Sequence, residues 1–376
     1  MDLSLTDEQE FLREAARGAL KRVDTVAAAR EALEDETKRP DLWKTIVEAG
    51  WTGLLTSEDG GGAGLGLYDA MLVAQECGRV LAPVPLVSTL PAATVLDAAG
   101  DEASAAVASG ELRVAWLPAA PPTDQEPRWT TDPKLGVLRA ALPTATVDGS
   151  TATLSGAVHW VLDAAQAEAL LVTAEGPDGP IAVLVDASAS GVTVEGLWRY
   201  DATRPLGHVT LDGAQGRVVA ADELALRRAW HVAQGLLAAE AVGTVDALLP
   251  VAIAYAKERH TFGRAIGSYQ ALKHQLVEVL RLLENAKSLL IYAAWAHENA
   301  PDELSLATAA ARSGAEHALD VATRVQISVH GGIGATWEHD APLFFRRAQL
   351  QRRLLGGAGG ATDRVAGELL GGVVPA

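Results

Sequence analysis

The spacing of apolar residues divides the chain into a helical first part, a strand-rich middle and a helical last part. Residues 5–34 repeat apolar side chains at a period near 3.6, and Thr6 with Gln9 has the spacing of a capping box. This pattern predicts one capped amphipathic helix. A second helix is predicted between Pro40 and Gly50, and two further helical stretches complete the first part.

In the middle of the chain, from residue 112 to about residue 218, short Val, Leu and Trp runs alternate with turn residues. Asp-Gly and Pro-Asp-Gly sequences separate the runs, and such sequences are typical of β-hairpins. From Asp222 onwards the helical period returns and continues to the last residues. We therefore predict an α+β multidomain fold with an N-terminal α-helical domain over 1–111, a β-barrel-like domain over 112–221 and a C-terminal helical bundle over 222–376.

Composition and charge restrict the class of protein. The 376 residues are enough for two or three domains, and the 49% apolar content with many alanines is typical of a helix-rich globular protein. A formal net charge of −17 disfavours nucleic acid and anionic membranes as main partners. We see no signal peptide and no apolar stretch suited to crossing a bilayer, and Cys77 is the single cysteine. These features predict a cytoplasmic protein with no disulfide framework and no metal site.

Two segments of the last part place chemically active residues at helix ends. ERHTFGRAIGSYQALKHQ, residues 258–275, gathers a guanidinium, a hydroxyl, an aromatic ring and an amide between two helical patterns. VQISVHGGIG, residues 325–334, ends another helical pattern on paired glycines. Considered singly, the first segment is compatible with surface ion pairs and the second with a simple helix stop.

Together with LTDEQEFLREAAR near the start, these segments resemble the acyl-CoA dehydrogenase family, and the resemblance extends over nearly the whole chain. It implies a C-terminal four-helix bundle and the oxidation of an acyl-CoA thioester to the 2,3-enoyl-CoA, with FAD as the electron sink and an electron-transfer flavoprotein as acceptor. It further implies FAD-binding roles, in part across a subunit interface, for seven residues: Arg259, Thr261, Phe262, Gln270, Gln326, Gly331 and Gly332.

The catalytic base of the family is missing from its usual positions. Many members use the Glu of a Tyr-Glu-Gly run, and the aligned residues here are Leu354-Leu355-Gly356, while the second family position falls on Ala233. Glu240 is the acid that remains nearby, and its apolar neighbours are expected to raise its pKa, as a general base requires. It lies about 10 Å along the helix from Ala233. Glu240 is therefore either the base of a self-sufficient homomeric enzyme or a core carboxylate paired with a cation.

The segment that resembles the flavin-ring pocket also departs from the family. AWLPAAPPTDQEP stands where members carry Thr-Glu-Pro-x-x-Gly-Ser-Asp, and Leu162 replaces a threonine beside the flavin. Trp160 is kept, either as a flavin platform or as core packing. This pattern favours a subunit of the actinobacterial heteromeric type, a dimer or α2β2 heterotetramer in which a related chain supplies the base and bulky steroid CoA esters are common substrates. A non-catalytic scaffold subunit is the remaining alternative.

Overall fold

A computed structural model describes residues 4–123, 126–132 and 139–371. The first part is helical, as predicted, and packs against the last part of the chain. Its helices are α1 (Asp7–Leu20), α2 (Thr25–Ala32), α3 (Trp43–Glu48), α4 (Leu67–Arg79), α5 (Leu86–Ala98) and α6 (Ala103–Ser109).

The prediction of a single helix over residues 5–34 is wrong. The capping box of Thr6 and Gln9 begins α1 as expected, but the helix ends at Leu20. The carboxylate of Asp24 accepts a hydrogen bond from the amide of Ala27 at 3.0 Å, and it caps a new helix. Aspartate side chains compete for backbone amides in this way, so they favour helix starts over helix interiors.

The middle part forms a closed, barrel-like sheet. Its hydrogen-bonded ring runs β6–β4–β5–β9–β7 and returns to β6, with β1 and β8 on its flanks. Alternate apolar residues of these strands fill the interior, which confirms the β-barrel-like prediction. The strands are β1 (Val114–Leu117), β2 (Thr130–Thr131), β3 (Ala140–Ala141), β4 (Thr144–Asp148), β5 (Thr151–Leu162), β6 (Ala169–Gly176), β7 (Gly179–Asp186), β8 (Val192–Leu197) and β9 (Leu206–Val219).

The last part is a bundle of long helices joined by short turns. A small β-hairpin, β10 (His260–Thr261) with β11 (Arg264–Ala265), separates its first two helices. The helices are α7 (Glu223–Glu258), α8 (Gln270–Asn299), α9 (Leu304–His330), α10 (Ala341–Gln351) and α11 (Gly357–Leu370). The domain limits at residues 111 and 221 stay predictions, and the elements are compatible with them.

Helix α7 is the central element of the molecule and touches α4 at backbone distance. A Cβ atom added at Gly243 would lie 1.9 Å from the carbonyl oxygen of Gln75, so glycine is what permits this crossing. Within the described residues, α7 is also long and apolar enough to cross a membrane, which our composition argument had not anticipated. Its most apolar window is 72% buried inside the molecule, and core helices pass the same test.

Candidate active site

A cavity of about 1590 Å³ lies between the β-barrel and the C-terminal helices. Its volume exceeds the roughly 300–1,000 Å³ of common small-molecule sites, so it has room for a large ligand. Both polar and apolar groups face it from the barrel, from the start of α7 and from the turn before α11. The lining residues that matter below are Trp160, Arg199, Trp230, His231, Gln234, Thr308, Leu354, Leu355 and Gly356.

The turn of residues 354–357, named here the Leu355 turn, forms part of the cavity wall. Leu355 is buried with φ at +51°, and Gly356 follows at +80°. The carbonyl oxygen of Leu355 accepts a hydrogen bond of 3.0 Å from the side-chain nitrogen of Gln234, which follows Ala233 in the sequence. The two positions where the resemblance expects a base are thus close together. Neither carries a carboxylate.

Glu240 lies outside this wall. Among the described residues that line the cavity, Glu240 is absent, and its side chain is 1% exposed. Its carboxylate pairs with the guanidinium of Arg204, and a nitrogen of Arg347 lies 3.9 Å away. Burial lowers the pKa of Arg204 to about 9. The surroundings match those of a core carboxylate paired with cations and give the base hypothesis no geometric support.

The barrel side of the cavity presents an aromatic ring that is already in contact with a cation. Trp160 has a positive φ of 60°, and the guanidinium carbon of Arg199 lies 4.4 Å from its ring centroid. Leu162 is buried nearby on β5. Residues 124 and 125 of AWLPAAPPTDQEP lie outside the described residues. Arg199 thus covers one face of the Trp160 ring, and Leu162 offers no hydroxyl donor.

The predicted dinucleotide-binding segment forms a tight hairpin between α7 and α8, named here the α7–α8 hairpin (residues 259–270). Its two tip residues, Phe262 and Gly263, have φ of 49° and 78°, as a type I′ turn requires. Arg259 and Thr261 are exposed, and Phe262 is 93% exposed. The tip therefore presents an apolar ring and polar groups to the outside of the molecule.

Side-chain contacts hold the α7–α8 hairpin in shape. The hydroxyl of Tyr269 donates a hydrogen bond of 3.1 Å to the carbonyl oxygen of Thr261, and the guanidinium of Arg264 stacks 4.1 Å from the Tyr269 ring. Gln270 then begins α8, a helix of 30 residues whose first turn has no side-chain cap. Uncapped amides at a helix start and a nearby guanidinium bind phosphate oxygens well, so this donor set fits a pyrophosphate.

The second predicted segment lies at the same end of the bundle. The rings of Tyr255 and His330 are 4.3 Å apart between centroids, which brings the end of α9 to the base of the α7–α8 hairpin. Gly331 and Gly332 follow there, exposed, and a Cβ atom added at either would contact nothing within 4 Å. Gln326 instead is 2% exposed, and its Oε1 finds no hydrogen-bond partner among the described residues.

The structure thus groups six of the seven predicted FAD-binding residues and separates Gln326 from their exposed surface. Their roles in binding FAD stay predictions. Sequence reasoning missed Arg199, His231 and Gln234 in the cavity wall. Two of these could have been found from the sequence. His231 and Gln234 are polar residues three positions apart, on one face of a largely apolar stretch of helix.

Two family models match the chain. Residues 6–119 match "Acyl-CoA dehydrogenase, N-terminal domain", and residues 215–369 match "Acyl-CoA dehydrogenase, C-terminal domain". The acyl-CoA dehydrogenase IpdE2 of Mycobacterium tuberculosis is 30% identical over 358 residues, which is 93% of each chain. The chain belongs to the acyl-CoA dehydrogenase family. Membership implies FAD-dependent oxidoreductase chemistry, and it confirms the predicted resemblance.

Other similar proteins agree with an actinobacterial type. The acyl-CoA dehydrogenase FadE34 of Mycobacterium tuberculosis is 34% identical over 375 residues, 97% of this chain. The chain spans only 48% of the length of FadE34. The solved structure of the Tcur3481-Tcur3483 steroid ACAD superimposes with a TM-score of 0.86 at 29% identity, over 97% of this chain and 98% of that one. The ChsE4-ChsE5 complex from Mycobacterium tuberculosis gives 0.86 at 26% identity over the full length of both.

Proposed function

We propose that this chain is a subunit of a flavin-dependent acyl-CoA dehydrogenase that forms 2,3-enoyl-CoA together with a related, dissimilar partner chain. In this proposal the partner supplies the catalytic base and this chain supplies part of the FAD site. The observation that carries the proposal is Leu355, an apolar residue in the cavity wall where the family places its base. The similarity to the ChsE4-ChsE5 complex supports an assembly of two chain types.

The α7–α8 hairpin is the proposed contribution to the shared FAD site. Arg259 and the first amides of α8 bind the pyrophosphate, and the hydroxyl of Thr261 adds a further donor. Gly331 and Gly332 leave room for the cofactor or the partner to approach the backbone closely. When bound, FAD supplies the electron sink of the reaction.

The cavity of this chain is not the proposed site of proton abstraction. Leucine cannot accept a proton, and Glu240 already pairs with Arg204 behind the wall. The contact of Arg199 with Trp160 further argues against a flavin ring in this cavity. A cytoplasmic dimer or α2β2 tetramer that passes electrons to an electron-transfer flavoprotein completes the proposal, on the basis of the family resemblance.

Visible absorption of the purified chain, alone and together with a related acyl-CoA dehydrogenase chain from the same organism, tests the proposal. We expect the chain alone to be colourless, and the co-purified pair to carry the yellow flavin spectrum and to bleach when an acyl-CoA is added. A yellow homomer that bleaches with an acyl-CoA would contradict the proposal. It would favour the self-sufficient alternative.

Arg259→Ala in the co-purified pair tests the hairpin directly. Because hydrogen bonds between charged groups contribute about 1.5–3 kcal/mol, we expect FAD affinity to fall about 10- to 100-fold. Arg281→Ala is the matched control. Arg281 is also an exposed arginine, but it lies on α8 and pairs with Glu278. Equal FAD affinity of the Arg259 variant and the control, measured by flavin fluorescence, would exclude a role of Arg259 in cofactor binding.

A further inference from the structure

The cavity wall contains a buried histidine, His231, whose contacts suit a proton on Nδ1. His231 is 5% exposed, and its Nδ1 lies 2.9 Å from the hydroxyl oxygen of Thr308. That hydroxyl also lies 2.7 Å from the carbonyl oxygen of Leu304, which can only accept. With the hydroxyl proton directed to Leu304, Thr308 accepts from His231. In that arrangement His231 carries its proton on Nδ1, and Nε2 is an acceptor.

No described residue donates a hydrogen bond to Nε2 of His231. Burial, followed by the positive charges of Arg364 and Arg227, lowers the pKa of His231 to about 3. A ring of such low basicity is a poor general base near neutral pH, because efficient bases have pKa values close to the working pH. It remains a good hydrogen-bond acceptor.

A second acceptor stands beside it. Gln234 lies three residues further along α7 and also lines the cavity. Its side-chain nitrogen donates to the carbonyl oxygen of Leu355, which leaves its oxygen available. Trp230 and Leu354 supply apolar wall around the two acceptors. A ligand that covers this patch with purely apolar surface would bury both acceptors unpaired, which is costly.

We propose that this acceptor patch, His231 and Gln234, binds a hydroxyl group on an otherwise apolar acyl group. The cavity would then be a binding site, separate from the site of proton abstraction, that selects hydroxylated acyl-CoA thioesters over their unsubstituted counterparts. The identity of the ligand as a CoA thioester rests on the proposed function, whereas the patch belongs to this chain alone. Selectivity follows because the ligand hydroxyl donates to Nε2, and an analogue without the hydroxyl leaves that atom desolvated.

Two pairs of probes that each differ by one hydroxyl test the proposal. They are lithocholoyl-CoA with 5β-cholanoyl-CoA, and 16-hydroxyhexadecanoyl-CoA with hexadecanoyl-CoA. We expect calorimetry on the full chain, alone and in the co-purified pair, to give about fivefold to tenfold tighter binding of the hydroxylated member of at least one pair. Equal affinities within both pairs would overturn the proposal.

Variants of His231 and Thr308 test whether Nε2 of His231 binds the ligand hydroxyl. We expect His231→Phe to reduce the hydroxyl preference to about 1, and His231→Gln to retain part of it through the amide oxygen. Thr308→Val keeps His231 but removes the acceptor for its Nδ1 proton, so the proton is expected to move to Nε2, which then donates to the ligand hydroxyl. The tautomer of His231, read from nitrogen NMR shifts, should change in this variant. A hydroxyl preference that survives His231→Phe, or an unchanged tautomer in Thr308→Val, would refute the assignment.

Thr323→Val is the matched control for Thr308→Val. Both threonines are fully buried on α9 and donate to the carbonyl oxygen four residues earlier, at 2.9 Å for Thr323. We expect Thr323→Val to leave the tautomer of His231 and the hydroxyl preference unchanged, and thermal unfolding confirms that each variant is folded. If the co-purified pair binds FAD and bleaches with an acyl-CoA but shows no hydroxyl preference, this inference alone is overturned. A hydroxyl preference in a chain that forms no FAD complex overturns the proposed function alone.

Discussion

The α7–α8 hairpin and the Leu355 turn are built alike and differ in what they present. Each places a non-glycine residue at positive φ directly before a glycine: Phe262 before Gly263, and Leu355 before Gly356. The hairpin holds its side chains out in solvent and keeps the residue types of the family. The Leu355 turn buries its leucine against the cavity and has lost the family carboxylate. Under the proposed function, the fold has kept the surface that serves a shared site, while its own cavity lacks a carboxylate at the Leu355 turn.

The largest expected effect concerns Glu240, behind the cavity wall. Glu240→Ala leaves the guanidinium of Arg204 buried without its main partner, so we expect the free energy of unfolding to fall by about 3–5 kcal/mol. Urea denaturation measures this loss. The matched double variant, Arg204→Met with Glu240→Leu, removes both charges and is expected to recover most of the stability.

The same position also tests the base hypothesis. In the FAD-loaded pair, we expect Glu240→Gln to keep its turnover per folded molecule. If turnover disappears while the free energy of unfolding is unchanged, Glu240 acts on the substrate. This chain would then have a base of its own.

A smaller effect is expected from His297, on the buried face of α8. Burial lowers the pKa of His297 to about 4, below its usual value of 6.5. The unfolded chain therefore binds the proton first as the pH falls, and stability is lost between about pH 6.5 and pH 4. We expect His297→Phe to remove about 2 kcal/mol of the stability loss between pH 8 and pH 5. Thermal unfolding at pH 8 and pH 5 measures it.

His274 provides the control for His297, because it lies on the exposed first turns of the same helix. His274→Phe is expected to leave the pH dependence of unfolding unchanged. An equal change in both variants would show that the acid response does not come from the buried face of α8.

The smallest effect on stability, and the sharpest on assembly, is expected at the hairpin tip. Since Phe262 is 93% exposed, Phe262→Ser should change the free energy of unfolding by less than about 0.5 kcal/mol. If the ring packs into the partner as an aromatic anchor, the dissociation constant of the pair rises about 30-fold. Phe11→Ser is the control, since Phe11 is 74% exposed on α1. Equal dissociation constants for the two variants, measured by analytical ultracentrifugation, would remove Phe262 from the interface.

Local patterns were readable from the sequence, and contacts between distant segments were not. The capping box at Thr6 and the break between two helices around Phe262 depend on residues a few positions apart, so their sequence signals were sufficient. Glu240 contacts Arg204 and Arg347, which lie in other segments of the chain. His231 contacts Thr308, which lies 77 residues further along the chain. No spacing rule predicts such pairs, which is why an ion-paired core carboxylate could be mistaken for a candidate base.

Phe262 has one practical consequence. A phenyl ring surrounded by water on a left-handed residue is doubly unfavourable, and only coverage by another surface compensates both costs. If the proposed partner covers this ring, copies made in excess of the partner keep it exposed and available for non-specific association. Balanced synthesis of the two chains would therefore matter for solubility as well as for catalysis, and yield in a single-gene expression host should improve when the tip is made polar.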